Sequence, residues 1–216
     1  MSLAAVLFDM DGLLVDTEPL WLETETEVTR RLGAPWTEQD QEALLGGSME
    51  RSVSYLLARA TRLVPPETVA RWLIDGMLER TRAGRVVIRP GAREIVAEVA
   101  AAGVPYALVT SSQRVFAEAV LDATGLPFPV TVCGEDVAET KPAPDPYLLA
   151  AKLLDVDPEN CVALEDSPNG AASAGAAGCR VVAVPSLVPI PPVPGQRMVV
   201  ASLTELTLAT LREFAG

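Results

Sequence analysis

The stretch Leu3-Ala4-Ala5-Val6-Leu7-Phe8-Asp9-Met10-Asp11-Gly12 decides how the rest of the chain is read. Its apolar part, residues 3–8, is too short for a helix and ends at an acidic turn, so it predicts a fully buried strand. Comparable runs recur at residues 104–109, 129–133, 161–164 and 180–184, mostly rich in Val and followed by polar, Gly- or Pro-containing turns. Helix-like segments lie between them. Residues 92–102 follow Pro90-Gly91, carry Ile95, Val96 and Val99 on one face and stop at Gly103; residues 115–124, 146–154 and 169–177 repeat the scheme. Strand and helix thus alternate, which predicts an α/β fold: a Rossmann-like, doubly wound parallel sheet whose right-handed crossovers put every strand's C-terminal end on one edge.

Residues 17–85 break the pattern. They contain no short Val-rich runs but several amphipathic ones, such as 53–62 and 68–82, so an all-helical unit is expected to be inserted there. Its first helix ends at Gly33, and Gly46-Gly47 marks a tight loop. The expected organisation is a core of residues 1–16 and 86–216 with an insertion of residues 17–85. Proline-rich residues 185–194 cannot be regular structure, and 202–214 are expected to close the chain as a surface helix.

Composition narrows the function. With 216 residues, 49% hydrophobic and 21% charged, the chain can bury a sizeable core. No apolar run approaches the ~20 residues of a membrane helix, and the start has no basic region and meets acid early, so a soluble, cytoplasmic protein is expected. A formal net charge of −12 repels nucleic acid and anionic membranes. Any phosphate must therefore be gripped by local features. There is no histidine, which excludes histidine catalysis and histidine metal ligands. Cys133, Cys161 and Cys179 lack zinc-site spacing and read as buried free thiols.

Four small motifs fall at or after the ends of predicted strands, on the edge where open parallel sheets bind ligands. They are Asp9-Met10-Asp11-Gly12, Thr110-Ser111-Ser112, Lys141-Pro142 and Glu165-Asp166-Ser167. Phosphoryl transfer needs a nucleophile, a proton donor for the leaving oxygen, a divalent metal and donors around the phosphoryl oxygens. A carboxylate attacks phosphorus competently when a metal and a lysine neutralise the phosphate, and two acids in one turn divide attack from proton transfer. Asp9, Asp11, Glu165 and Asp166 are the hard oxygen donors that suit Mg2+, Asp9 and Asp166 first among them. Thr110, Ser111, Ser112 and Lys141 are the candidate phosphate contacts, the hydroxyl motif also reading as a helix N-cap.

Phe8-Asp9-Met10-Asp11-Gly12-Leu13-Leu14-Val15-Asp16-Thr17-Glu18 resembles motif one of the haloacid-dehalogenase-like superfamily, in its β-phosphoglucomutase and sugar-phosphatase branch. The resemblance extends in order and approximate spacing over nearly the whole chain. It implies a nucleophile at Asp9, a general acid/base at Asp11, and the family's Thr/Ser, Lys and acidic-pair motifs at Thr110, Lys141 and Glu165-Asp166. It also implies a helical cap inserted after motif one that closes over the site and selects the substrate. Gly46-Gly47-Ser48-Met49 resembles the cap loop that points into the site, which makes Gly47, Ser48, Trp21 and Arg51 candidate substrate contacts. Trp21 and Met49 serve equally as core packing, and Arg51 as a solvated helix charge.

The expected activity is Mg2+-dependent hydrolysis of a small phosphorylated metabolite by a monomer. The nearest rival is a sugar-phosphate mutase of the same branch. The family's mutases carry a histidine soon after motif one and basic residues around the cap loop, where this chain has Trp21, Leu45 and Met49, with Arg51 the nearby cation. Little is left to grip a second phosphate. A dehalogenase would lack the second aspartate, whereas Asp11 is present, and four intact motifs speak against a non-catalytic binding protein.

Overall fold

A computed structural model describes residues 2–44 and 49–216. The chain divides into two compact units: one runs up to Asp16 and resumes at Val87–Gly216, the other is Thr17–Val86.

The first unit holds strands β1 (Ala5–Phe8), β2 (Val15–Asp16), β3 (Val87–Ile88), β4 (Tyr106–Val109), β5 (Thr131–Val132), β6 (Cys161–Glu165), β7 (Arg180–Ala183) and β8 (Arg197–Val199). Six of them form one sheet in the order β5-β4-β1-β6-β7-β8, every pair parallel. β2 and β3 make a small antiparallel ribbon pairing Val15 with Ile88. The doubly wound α/β expectation is met. The central strands are apolar but for Glu165 and Arg180 at the ends of β6 and β7, because helices cover both faces. Leu7, Ala107, Val109, Ala163 and Ala183 share a core with Tyr147 and Ala150 on one face. Alternate residues such as Phe8 and Tyr106 belong to the other, where Phe128 meets both rings edge-on at 5.7 and 5.5 Å.

The second unit contains α1 (Glu18–Arg31), α2 (Glu38–Leu44), α3 (Met49–Arg59) and α4 (Pro66–Arg82). Val28, Leu32, Leu44, Val53, Leu56, Val69 and Leu73 form its apolar core. Gly76 lets α4 approach α1, since a Cβ there would lie 2.7 Å from the Thr24 methyl. Asp40 is fully buried and satisfied by the Thr37 amide at 2.6 Å, the Thr37 hydroxyl at 2.7 Å, the Tyr55 hydroxyl at 2.8 Å and Arg59. Helices of the first unit are α5 (Ala92–Ala101), α6 (Arg114–Thr124), α7 (Asp145–Leu153), α8 (Pro168–Ala176) and α9 (Leu208–Ala215).

Glu25 on α1 is also buried, but its hydrogen bond from Ser52 is long, at 3.4 Å. Burial, with Glu18 nearby, pushes its carboxyl up to about 7. Between its ordinary range and that value the folded chain holds a proton that the unfolded chain has lost, so stability falls as pH rises through this window. Glu25→Gln removes the penalty. The variant is expected to match wild type below the window and to gain about 1–3 kcal/mol above it, read from urea unfolding at two pH values.

Two details depart from the sequence expectation. The sheet gains β8, a short strand beyond the proline-rich segment. The predicted helix over 202–214 is instead a 3-10 turn at Leu203–Glu205 followed by α9, because Thr207 caps a fresh start by accepting from the Thr210 amide at 3.2 Å. Among the described residues no helix is long and apolar enough to cross a membrane. All three cysteines are free and buried, and burial pushes Cys133 up to about 11 and Cys161 and Cys179 up to about 12.

Candidate active site

All four sequence motifs lie at the C-terminal edge of the six-stranded sheet. Asp9 follows β1, which pairs with both β4 and β6, so Thr110 and Glu165-Asp166 emerge on either side of it. Asp9 is anchored there by its amide, which donates to the Leu164 carbonyl at 3.1 Å, and the Thr110 amide donates to Val132 at 2.9 Å.

Lys141 is the hub. Its ammonium donates to Asp9 Oδ1 at 2.6 Å, to Glu165 Oε1 at 2.6 Å and to the Val109 carbonyl at 2.8 Å. A lysine ammonium has three protons, and all three are placed. The side chain is 6% exposed and fixed rather than swinging in solvent. Tyr147, from α7, donates its hydroxyl to the same Glu165 oxygen at 2.5 Å, and its ring lies 5.2 Å from the ammonium. Ser173 on α8 donates to the Ala143 carbonyl at 2.5 Å, tying down the loop that carries Lys141.

Electrostatics make the cluster unbalanced. Burial lowers a lysine, but the carboxylates of Asp9 and Glu165 more than offset this and hold Lys141 well above its ordinary value. Burial lifts Asp9 far above the usual carboxylate range; Lys141 counters this, while Glu165 and Asp166 add to it. Burial, with Glu165 beside it, pushes Asp166 up to about 7. Three carboxylates face one ammonium, and Asp9, Glu165 and Asp166 each bring an oxygen within 4.8 Å of the others. Asp9 Oδ2 is buried without a hydrogen-bond partner. An orphaned carboxylate oxygen beside two further carboxylates fits a hard divalent cation such as Mg2+.

Asp11 does not meet that distance among the described residues. Its Oδ2 accepts from the Ser112 hydroxyl at 2.8 Å and stands 3.4 Å from the Thr110 hydroxyl, while Thr110 also accepts from the Ser112 amide at 3.0 Å. The hydroxyl motif therefore holds the second aspartate. Ser111 is exposed. Gly12, at φ 84°, passes so close to Asp166 that a Cβ would sit 1.9 Å from Oδ2.

The family model of the haloacid dehalogenase-like hydrolases matches residues 6–184. The chain belongs to the haloacid dehalogenase-like hydrolase family. Among its curated relatives, hexitol phosphatase A of Escherichia coli is 34% identical over 210 residues, covering 96% of this chain and 95% of that one. Among solved structures, CbbY from Rhodobacter sphaeroides in complex with phosphate superposes with TM-score 0.83 at 32% identity, covering 95% of this chain and 96% of the other. A mutant of the same CbbY is known with xylulose-(1,5)bisphosphate, again with TM-score 0.83.

In this haloacid dehalogenase-like hydrolase, sequence reasoning overlooked two polar side chains. Tyr147 lies on the buried face of α7, where an aromatic ring reads as packing, and only its hydroxyl betrays a role. Ser186 follows β7 and donates to Asp166 Oδ2 at 2.5 Å; the strand-edge rule that located the other motifs, applied to the fifth predicted strand, points to it. In the helical unit, Trp21 packs partly buried against the apolar core, and Arg51 donates to the Ala43 carbonyl at 2.8 Å. Gly47 and Ser48 lie outside the described residues.

Proposed function

We propose that this chain is a Mg2+-dependent phosphomonoesterase that hydrolyses a small phosphorylated sugar or polyol through an aspartyl-phosphate on Asp9. The observation that carries the reading is the pairing of a fully committed Lys141 ammonium on Asp9 Oδ1 with an unpartnered Asp9 Oδ2. One oxygen is oriented and neutralised while the other is free to bond elsewhere.

Asp9 and Asp166 are assigned as ion ligands, with Glu165 as a third carboxylate whose Oε1 is already committed to Lys141 and Tyr147. Bound Mg2+ supplies a Lewis acid that offsets the charge on phosphoryl oxygens. Asp9 attacks phosphorus, forming a carboxylate–phosphorus bond as the ester oxygen–phosphorus bond breaks. Asp11 gives its proton to the departing oxygen and then takes one from the water that opens the acyl phosphate. Lys141 balances the charge that builds on the phosphoryl oxygens. Thr110 and Ser112 hold Asp11 and are assigned phosphate contacts. The unit Thr17–Val86 is assigned the selecting role of a cap. The family relatives named as a hexitol phosphatase and as a protein bound to a pentulose bisphosphate support a sugar-like substrate.

Phosphate release from a panel of sugar and polyol phosphates tests the reading. Turnover is expected with Mg2+, a fall of at least about 100-fold is expected in EDTA, in line with the several kcal/mol a metal contributes, and free phosphate is expected as the main product. Ion-independent turnover, or isomerised sugar phosphate without phosphate release, overturns it.

A further inference from the structure

We propose that Ser186 is a positioning residue for the divalent-ion site, its hydroxyl clamping one oxygen of Asp166 so that the carboxylate is held ready for the ion. The inference rests on the assignment of Asp9 and Asp166 as ligands given above, and goes beyond it by naming what sets the Asp166 side chain.

Asp166 follows β6 as a buried residue, 7% exposed, yet among the described residues its side-chain hydrogen bond is to Ser186 alone, at 2.5 Å. The Ser186 amide also approaches the Asp166 carbonyl at 3.4 Å, so backbone and side chain of the two residues are paired. Gly12 closes the third side: a Cβ built on it would lie 1.9 Å from Asp166 Oδ2 and 3.0 Å from the Ser186 hydroxyl oxygen. Oδ2 is thus wedged between a glycine backbone and a hydroxyl. The terminal torsion of an aspartate is broad when nothing holds it, and here a single donor narrows it. Magnesium tolerates little departure from octahedral geometry, so a ligand free to rotate binds it more weakly. Groups that orient ligands cost roughly 10–100-fold in metal affinity when removed.

Ser186 reaches this place from β7, by way of Pro185, whose fixed φ stiffens the approach. Nothing else in the proposed chemistry uses it: its hydroxyl is spent on Asp166.

The test is direct binding of Mg2+ and Mn2+ to the substrate-free full-length chain by calorimetry, comparing wild type, Ser186→Ala and Ser186→Thr. Ser186→Ala is expected to weaken both ions about tenfold, and Ser186→Thr, which keeps the hydroxyl, to restore affinity to within about threefold. In turnover, the Mg2+ concentration for half-maximal rate is expected to rise by the same factor, with most of kcat recovered at saturating Mg2+. Should alanine fail to fold, Ser186→Cys, similar in shape and a weak donor, is expected to give the same weakening. Unchanged ion affinity in a folded Ala or Cys variant overturns the role of Ser186 alone. Absence of ion binding to wild type overturns the ligand assignment itself, and the inference with it.

Discussion

Asp9→Asn is expected to lower kcat/KM roughly 10⁴-fold or more, the scale of losing a nucleophile, in a protein that still folds. The amide nitrogen cannot attack phosphorus, yet its carbonyl oxygen keeps the shape that accepts from Lys141. Burial and the neighbouring Glu165 and Asp166 hold the native Asp9 carboxyl far above its ordinary range, so its charged form is unfavourable in the ion-free fold. Replacing it by a neutral amide relieves that crowding. Thermal unfolding in EDTA near neutral pH should therefore give a midpoint for Asp9→Asn equal to or above wild type, while phosphate release collapses. Activity retained within about tenfold means that water, and not Asp9, attacks the substrate.

Lys141→Met is expected to damage both activity and fold. The ammonium is the one cation of the cluster among the described residues, and it bridges Asp9 and Glu165 at 2.6 Å each with 6% of its side chain exposed. Removing the cation from a buried pair leaves uncompensated charge, worth about 3–5 kcal/mol. Loss of one stabilising donor for the phosphoryl oxygens costs on the order of 10²–10³ in rate. The stability loss should grow with pH. Without the ammonium the carboxyls of Asp9 and Asp166, which it now holds down, rise further, the folded chain retains protons that the unfolded chain releases, and stability falls as pH increases through that interval. Urea unfolding in EDTA at mildly acidic and mildly alkaline pH reads this slope; a loss independent of pH contradicts it. Lys141→Arg should not restore function, because a planar guanidinium fork cannot direct three protons at three converging oxygens.

What could be read without coordinates followed from residues with few alternative uses. Three of the four polar motifs follow directly on apolar, strand-like runs and Lys141 sits in the loop after another, so a parallel sheet delivers Asp9, Thr110, Lys141 and Glu165-Asp166 to one edge. Residues 17–85 stand apart in the sequence because they lack short Val-rich runs and carry amphipathic ones, and the structure groups Thr17–Val86 as a compact unit. The unread parts have physical causes. β8 is a three-residue edge strand, Arg197–Val199, with Arg and Met where central strands have Val, and nothing in its pattern separates it from a loop. The C-terminal helix pattern spans a break because Leu206 and Thr207 fit an apolar period while Thr207 in fact caps a new helix. Tyr147 and Ser186 escaped because each meets the cluster through a single hydroxyl, on Glu165 and Asp166, and these residue types serve packing and turns far more often than catalysis. Trp21 fits core and ligand pocket alike, so its side chain's placement, not its identity, decides.

The stereochemical course at phosphorus tests the covalent route most directly. A substrate bearing a thiophosphoryl group made chiral with two oxygen isotopes would be hydrolysed in water enriched in the third, and the configuration of the released thiophosphate determined. Attack by Asp9 followed by water is two in-line displacements, so net retention is expected. Net inversion, the signature of a single displacement by water, would contradict it.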